Sequence, residues 1–195
     1  MHSPIVYIVE NENGLFKDMN YRLDEDLLPC EEYLDECLVE SDWHEVNTLD
    51  NPTWHRGNWP LDKVMKMHHY LEFKEIDDQI KFSINKKNII DWDKAINELL
   101  ETYMATRNRK LENNEIFTPF NDLEFEDYFA FEDKIGKAHG GTAFILYKEY
   151  EGELELYGVF KERDLIEYCK DQMIMKNKDE IEFDVCLNTT GDYHY

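Results

Sequence analysis

Asp50, followed downstream by Glu72-Phe73-Lys74, has a pattern that can act on phosphate esters. An acid and a Glu-x-Lys on a strand can hold a divalent ion and position a water for hydrolysis. The tripeptide is common, however, in a chain with 33% charged residues. A nuclease also needs basic surface to hold its phosphates, so a solvated hairpin edge is the plainer reading of Glu72 and Lys74. Cys30, Cys37 and His44 recur every seven residues and invite a zinc site. Residues seven apart on a helix are about 10.5 Å apart along its axis. Zinc needs both sulfurs within about 2.3 Å of one ion. On a helix, the spacing fits core thiols on an apolar stripe. His68 and His69 are adjacent, so on a helix they point about 100° apart, one inward and one to solvent.

Nucleophilic catalysis has little to work with. The serines are Ser3, Ser41 and Ser83, and no Gly-x-Ser-x-Gly elbow is present. No cysteine lies in a recognisable Cys–His frame. The run Gly136-Lys137-Ala138-His139-Gly140-Gly141 is not a phosphate-binding loop, because that loop precedes a helix and this run precedes an expected strand. It reads as a helix end and a connection. The expectation is no catalytic residue, no bound metal and no cofactor.

The charge pattern is more specific than any of these motifs. Between Arg22 and Arg56 there is no Lys or Arg, and there are eleven carboxylates: Asp24, Glu25, Asp26, Glu31, Glu32, Asp35, Glu36, Glu40, Asp42, Glu45 and Asp50. A second run from Glu112 to Asp133 carries Glu112, Glu115, Asp122, Glu124, Glu126, Asp127, Glu132 and Asp133, again without a base. Glu149, Glu151, Glu153 and Glu155 follow on an expected hairpin. Solvated surfaces usually interleave both signs, and blocks of one sign repel themselves.

The elements that must position these residues are read from periodicity. Residues 4–9 are a buried strand of β-branched and aromatic residues. Asn11 to Gly14 is a turn, and Leu15 to Leu23 a candidate partner strand. A helix over 29–40 puts Cys30, Leu34, Cys37 and Leu38 on one stripe. Glu32, Asp35, Glu36 and Glu40 then fall opposite. Residues 42–59 hold three tryptophans among Asn, Pro and Gly and read as an ordered loop. Pro60 opens a helix carrying Leu61, Val64, His68 and Leu71. A hairpin over 71–76 and 79–84 turns at Asp77-Asp78. Asp91 reads as an N-cap, with Trp92, Ile96, Leu99, Leu100, Tyr103 and Met104 inward on a helix to Arg109. Residues 111–135 fit a strand at Leu123 and Phe125 or a helix through Tyr128, Phe131 and Ile135, with Gly136 ending it. Residues 142–150 and 153–160 form the clearest hairpin, turning at Glu151-Gly152 and setting Lys148 across from Glu155. A helix over 161–176 carries Leu165, Tyr168, Cys169 and Gln172 on one face, and 180–187 is a final strand. The pattern is α+β with mostly antiparallel strands and four or five helices, and Ile5 to Val9, Ile145, Leu156 and Phe183 buried. The chain reads as one domain over 1–195. The alternative is a sub-division near 111, into 1–110 and 111–195.

A 42% hydrophobic and 14% aromatic composition is that of a folding chain despite the net charge of −23. Four scattered cysteines do not make a secreted disulfide framework. The first ten residues lack a signal-peptide pattern, and no run approaches the roughly 20 apolar residues of a membrane span. These features read as a soluble cytoplasmic protein with free thiols. Lys outnumbers Arg 16 to 5, a bias that fits an AT-rich bacterial or phage genome. So large a negative charge argues against direct contact with nucleic acid or an anionic membrane and favours basic proteins as partners.

Residues 31–40 carry five carboxylates over about 14 Å of helix axis. That density is close to the one charge per roughly 3.4 Å of a DNA strand. In composition the chain resembles the acidic nucleic-acid-mimic proteins of phages and mobile elements, anti-restriction and anti-CRISPR proteins among them. The resemblance is one of class and assigns no residue a role. The expectation is a non-enzymatic inhibitor that blocks the basic groove of a DNA- or RNA-handling protein: a nuclease, a restriction or CRISPR effector, or a toxin. Its candidate contact residues are Asp24, Glu25, Asp26, Glu31, Glu32, Asp35, Glu36, Glu40 and Asp42, with Glu124, Glu126, Asp127, Glu132 and Asp133. The alternatives are an immunity protein against a basic nuclease toxin, a small metal-dependent hydrolase using Asp50, Glu72 and Lys74, and an acidic subunit of a larger assembly.

Overall fold

Eight consecutive residues, Ser3 to Glu10, are buried. They belong to β1 (His2–Glu10), which has neighbours along both edges and is covered on both faces. In the computed structural model, the described residues are 2–10, 27–38, 43–48, 64–65, 67–76, 79–136 and 141–194. They divide into two compact units, one drawn from residues 1–86 and 139–195, the other from 87–138.

The first unit is a seven-stranded mixed sheet. Its strands are β1, β2 (Trp43–Thr48), β3 (Glu72–Ile76), β4 (Gln79–Asn85), β5 (Ala143–Tyr150), β6 (Glu153–Lys161) and β7 (Glu180–His194). The order is β3-β4-β7-β1-β5-β6, with β2 also paired to β7. Among the described residues only β1 and β5 run parallel, with Ile5 beside Ala143 and Val9 beside Tyr147. The α+β, mostly antiparallel reading therefore holds. The expected final strand over 180–187 continues to residue 194. Along one edge of β7, β4 takes residues 180–184 and β2 takes 189–194, while β1 lies along the other.

Residues 42 and 49–59 lie outside the described set, and β2 corrects the loop reading of 42–59 at residues 43–48. Its partner is the far end of the chain, Trp43 opposite His194, and local composition carries no trace of that pairing. Of the helix expected from Pro60, residues 60–63 and 66 fall outside the described set, and its continuation to Leu71 is corrected. Residues 64–65 are helical, and the chain then turns through i→i+3 bonds from Met67 to Val64 and from His68 to Met65. It must swing into β3 at Glu72, and His68 is held from a distance, as described below. His68 is turned in and His69 is exposed, as their adjacency implied.

Side chains alternate across the sheet. Ile5, Tyr7, Val9, Ile145, Tyr147 and Cys186 form a core with Leu34 and Leu38. Leu34 belongs to helix α1 (Glu31–Cys37), and Leu38 caps its C-terminus. The helix is shorter than the expected 29–40, although residues 39–40 fall outside the described set. The pair at i, i+4 covers the sheet, with Leu27 and Leu28 packed beside it. Cys30 is the N-cap and Cys37 lies off that line. Both are exposed, which overturns their expected place in the core. The opposite sheet face carries Phe144, Phe82 and Phe183, with ring centroids 5.9 Å apart for Phe82–Phe144 and 4.8 Å for Phe82–Phe183. Helix α5 (Glu162–Lys176) packs on β5, β6 and β7, burying Leu165, Tyr168, Cys169 and Gln172 as expected.

The two expected hairpins form. In β3–β4, Ile76 pairs with Gln79, and Asp77-Asp78 lie outside the described residues. In β5–β6, Glu151 and Gly152 both take positive φ, 52° and 92°, as a tight hairpin turn of the primed kind requires. Lys148 sits opposite Glu155. Leu156, expected to be buried, is 36% exposed. It lies on the outermost strand, where Leu154 and Val159 reach the core beside α1 and Leu156 does not. The expected turn at 11–14 and strand at 15–23 fall outside the described residues.

The second unit is helical. It holds α2 (Lys86–Glu112) beyond its first residue, α3 (Pro119–Asp122) and α4 (Phe125–Lys134). α2 begins at Lys86, not after Asp91, because β4 runs straight into it. The Asp179 carbonyl accepts the Lys86 N–H at 3.1 Å, a capping contact made from 93 residues away. Trp92 is buried and Ile96, Leu99 and Tyr103 half-buried, at spacings of four, three and four. Leu100 and Met104, expected inward, stand about 100° round from that stripe and are exposed. Helix wins over strand at 125–134 because Phe131 stacks on Tyr103, with ring centroids 4.6 Å apart. Lys110 joins the turn to α2 by pairing with Glu115 at 2.8 Å and Asp122 at 2.9 Å. The Gly136 N–H closes α4 on the Phe131 carbonyl.

The four thiols are free, and their exposure sorts them into pairs. Burial pushes the Cys169 thiol far above its ordinary value and the Cys186 thiol up to about 12. In native protein a disulfide reagent should therefore titrate Cys30 and Cys37 rapidly, and Cys169 and Cys186 only after denaturation. Fast reaction of all four in the folded state, or of Cys169 or Cys186 in a Cys30→Ser/Cys37→Ser variant, would contradict this packing.

Candidate partner-binding surface

Acids and bases are sorted differently by the fold. The sheet unit contains 32 Asp and Glu but only 14 Lys and Arg, whereas the helical unit contains 12 and 7. In the sheet unit, Lys81, Lys148, Lys161 and Lys176 are turned inward. Lys148 and Lys176 serve Glu10, whose side chain is 2% exposed. Lys81 lies 3.1 Å from Asp184, which is 1% exposed. Setting aside these four lysines and two acids leaves ten bases against thirty acids for the remainder of that unit. Among the described residues of that unit, eleven acids are exposed against three bases, Lys74, Lys86 and Lys178.

The centre of this arrangement is Glu10. The Tyr168 hydroxyl donates to its carboxylate, Lys176 Nζ donates at 2.9 Å and Lys148 Nζ approaches to 3.3 Å. Lys148 also stands 4.0 Å over the Tyr157 ring and 5.0 Å over that of Tyr168, contacts that favour a cation electrostatically. Burial pushes the Glu10 carboxyl upward. The hydrogen bonds from Tyr168 and Lys176, with the Lys148 charge, outweigh it and hold the group below its ordinary value. The Tyr168 hydroxyl is driven up by its own burial and by this carboxylate. With two hydrogen bonds and a third ion-pair partner on Glu10, the cluster is a filled structural site. It went unread in the sequence because its members are up to 166 residues apart.

Lys161, the N-cap of α5, is held at the other end of β6. Its ammonium contacts the Tyr193 hydroxyl and lies 4.1 Å over that ring. Burial lowers its pKa to about 8, against an opposing pull from Asp164. His68 accepts or donates to Thr142 Oγ1 at 2.8 Å through Nε2, places Nδ1 3.1 Å from Glu162 and meets Phe144 edge-on.

The sequence-derived contact residues are spread over both units. Glu32 and Glu36 are exposed on α1, with no ion-pair partner among the described residues. Glu31 and Asp35 lie on the same helix. Asp24, Glu25, Asp26, Glu40 and Asp42 lie outside the described residues. Glu124 is the N-cap of α4. Glu124, Glu126 and Asp133 are exposed, and Asp127 and Glu132 half-buried. Glu151, Glu153 and Glu155 are exposed on the β5–β6 hairpin.

Of the three hydrolase candidates, two lie among the described residues. Asp50 is outside the described residues. Glu72 and Lys74 are exposed on edge strand β3, where Asn85 donates to Glu72 at 2.7 Å and Lys74 lies 4.0 Å from Glu180. Charges on an edge strand discourage pairing with another sheet. Among the described residues, no three His, Cys, Asp or Glu side chains converge to hold a metal ion, and no helix is long and apolar enough to cross a membrane. No family model, curated protein or solved structure matches the chain.

Glu10→Gln leaves two lysines without their carboxylate. It should cost about 3 kcal/mol at neutral pH, the order expected when one partner of a buried ion pair is removed. Because the folded pKa lies below the ordinary 4.5, the carboxylate's stabilisation is complete above that value and is lost as pH falls through the lowered one. In urea unfolding, the gap between wild type and variant should be widest near pH 7 and narrow below about pH 4. A gap that stays constant with pH would show that the carboxylate charge plays no part.

Proposed function

We propose that the protein is a non-enzymatic inhibitor whose carboxylates substitute for nucleic acid in the basic groove of a DNA- or RNA-handling protein. The partner class is a nuclease, a restriction or CRISPR effector, or a toxin met in the bacterial cytoplasm. The observation that carries the reading is the inward placement of Lys81, Lys148, Lys161 and Lys176, beside eleven exposed acids and three exposed bases among the described residues of the sheet unit. On α1, Glu31, Glu32, Asp35 and Glu36 fall within six residues, a rise of about 7.5 Å along the axis. That charge density is of the order of a nucleic-acid strand.

Such a face speeds encounter with a basic groove and makes association salt-sensitive. It opposes approach of the nucleic acid itself.

The test begins with capture from lysate at low salt and identification of a basic nucleic-acid-binding protein that elutes as salt rises. Titrating the chain into that protein's complex with labelled duplex DNA or RNA should then displace the nucleic acid. The triple reversal Glu32→Lys, Asp35→Lys, Glu36→Lys should keep the fold and slow association at least about tenfold at low salt. Wild-type binding should weaken as the Debye length shrinks from ~10 Å at 0.1 M salt to ~3 Å at 1 M. Simultaneous binding of nucleic acid and this chain, or unchanged rates in the triple reversal, overturns the proposal.

A further inference from the structure

Helix α4 is aromatic on more than one side. Phe131 stacks on Tyr103 of α2 and holds the helix within its unit. Phe125 and Phe129, one turn apart, are 75% and 49% exposed, with ring centroids 4.5 Å from each other. Phe120 of α3, 69% exposed, meets Tyr128 edge-on at 5.2 Å, and Tyr128 meets Phe129 at 5.3 Å. The four rings form a continuous chain of contacts. A surface helix normally buries one apolar stripe and leaves the other side polar. Single exposed apolar residues are ordinary, whereas a contiguous exposed cluster marks an interaction site.

The charge around the rings selects what can cover them. Of the eight carboxylates from Glu112 to Asp133, Glu115 and Asp122 are paired with Lys110 and Asp133 lies 3.8 Å from Lys134, which leaves five. Glu124 and Glu126, both exposed, flank Phe125 in sequence. A second copy docked on the same face would set acids against acids, since a two-fold interface pairs a patch with itself. A nucleic acid could stack on the rings, but its phosphates would be repelled. An anionic membrane meets the same objection.

We propose that the Phe120–Tyr128–Phe129–Phe125 cluster docks a basic amphipathic helix of a partner protein. The partner's apolar stripe seats on the rings and its flanking lysines and arginines pair with Glu124, Glu126 and Asp127. The surface lies in the helical unit and does not depend on the acidic face of α1, so it goes beyond the inhibitor reading and can fail separately from it.

The probe is a Leu/Lys amphipathic helical peptide of about 18 residues, five turns, titrated into the isotope-labelled full chain. The controls are a Leu/Glu peptide of the same pattern and a Leu/Lys peptide of scrambled order. Amide shifts should centre on residues 118–130, and neither control should match the affinity. Phe125→Ser/Phe129→Ser, in a chain whose other amide resonances are retained, should weaken binding at least tenfold, about 1.4 kcal/mol. Phe120→Ala alone should weaken it in the same direction. Glu32→Lys/Glu36→Lys should change it less than twofold. Shifts confined elsewhere, equal binding by the double Phe variant or by either control, or loss of binding on reversing α1 would each overturn the proposal. Concentration-dependent dimerisation abolished by the double Phe variant would also overturn it, assigning the cluster to a second copy.

Discussion

A carboxylate enclosed in a protein core must be paired, because an isolated buried charge costs far more than a fold can tolerate. Glu10 ends the most buried strand of this molecule, and its pairing draws in β5 through Lys148 and α5 through Tyr168 and Lys176. One side chain thus ties β1, its parallel neighbour and the helix that covers them. The local requirement has a global consequence. In a chain with 21 bases and 44 acids, two lysines gathered around one glutamate are two fewer to offset the outside. Lys81 at Asp184 and Lys161 at Tyr193 add to the effect.

Packing and surface charge are therefore one problem here. The sheet unit has an ordinary apolar interior, with Ile5, Tyr7, Val9 and Leu34 at 1% exposure or less. Among the described residues, most of its exposed acids lie on α1, α5 and the β5–β6 hairpin, where water and salt screen them. The helical unit differs in kind. Its acids outnumber its bases less steeply, and its distinctive feature is aromatic: one set of rings packs Tyr103 with Phe117 and Phe131, and another stands in solvent. The two units accordingly present two chemistries to partners, electrostatic on the first and mixed apolar and acidic on the second.

Hairpins and amphipathic helices were legible because their signals are local. Glu151-Gly152 between alternating strands, the Leu165–Gln172 face and the Ile5–Val9 run all needed only near neighbours. The misreadings share one cause, a partner remote in sequence. β2 forms because the chain's last strand offers it an edge, and α2 starts five residues before its apparent cap because Asp179 receives Lys86. Cys30 and Cys37 fell outside the core because a seven-residue helix needs only Leu34 and Leu38 to cover its sheet. Leu156 stayed in water because its strand lies at an edge, and edge position is a property of the whole sheet.

By itself the sequence determined the α+β class, the absence of interleaved bases in two long runs and the positions of Glu32 and Glu36 on a helix. Composition and short-range periodicity suffice for these. Only the tertiary structure decided which charges face outward and which aromatic rings remain uncovered. Ion pairs such as Lys176–Glu10 close across 166 residues, and the exposure of Phe125 or Phe129 depends on which side of α4 Tyr103 occupies. Both are set by long-range packing, which a single run of letters records only through contacts it does not show.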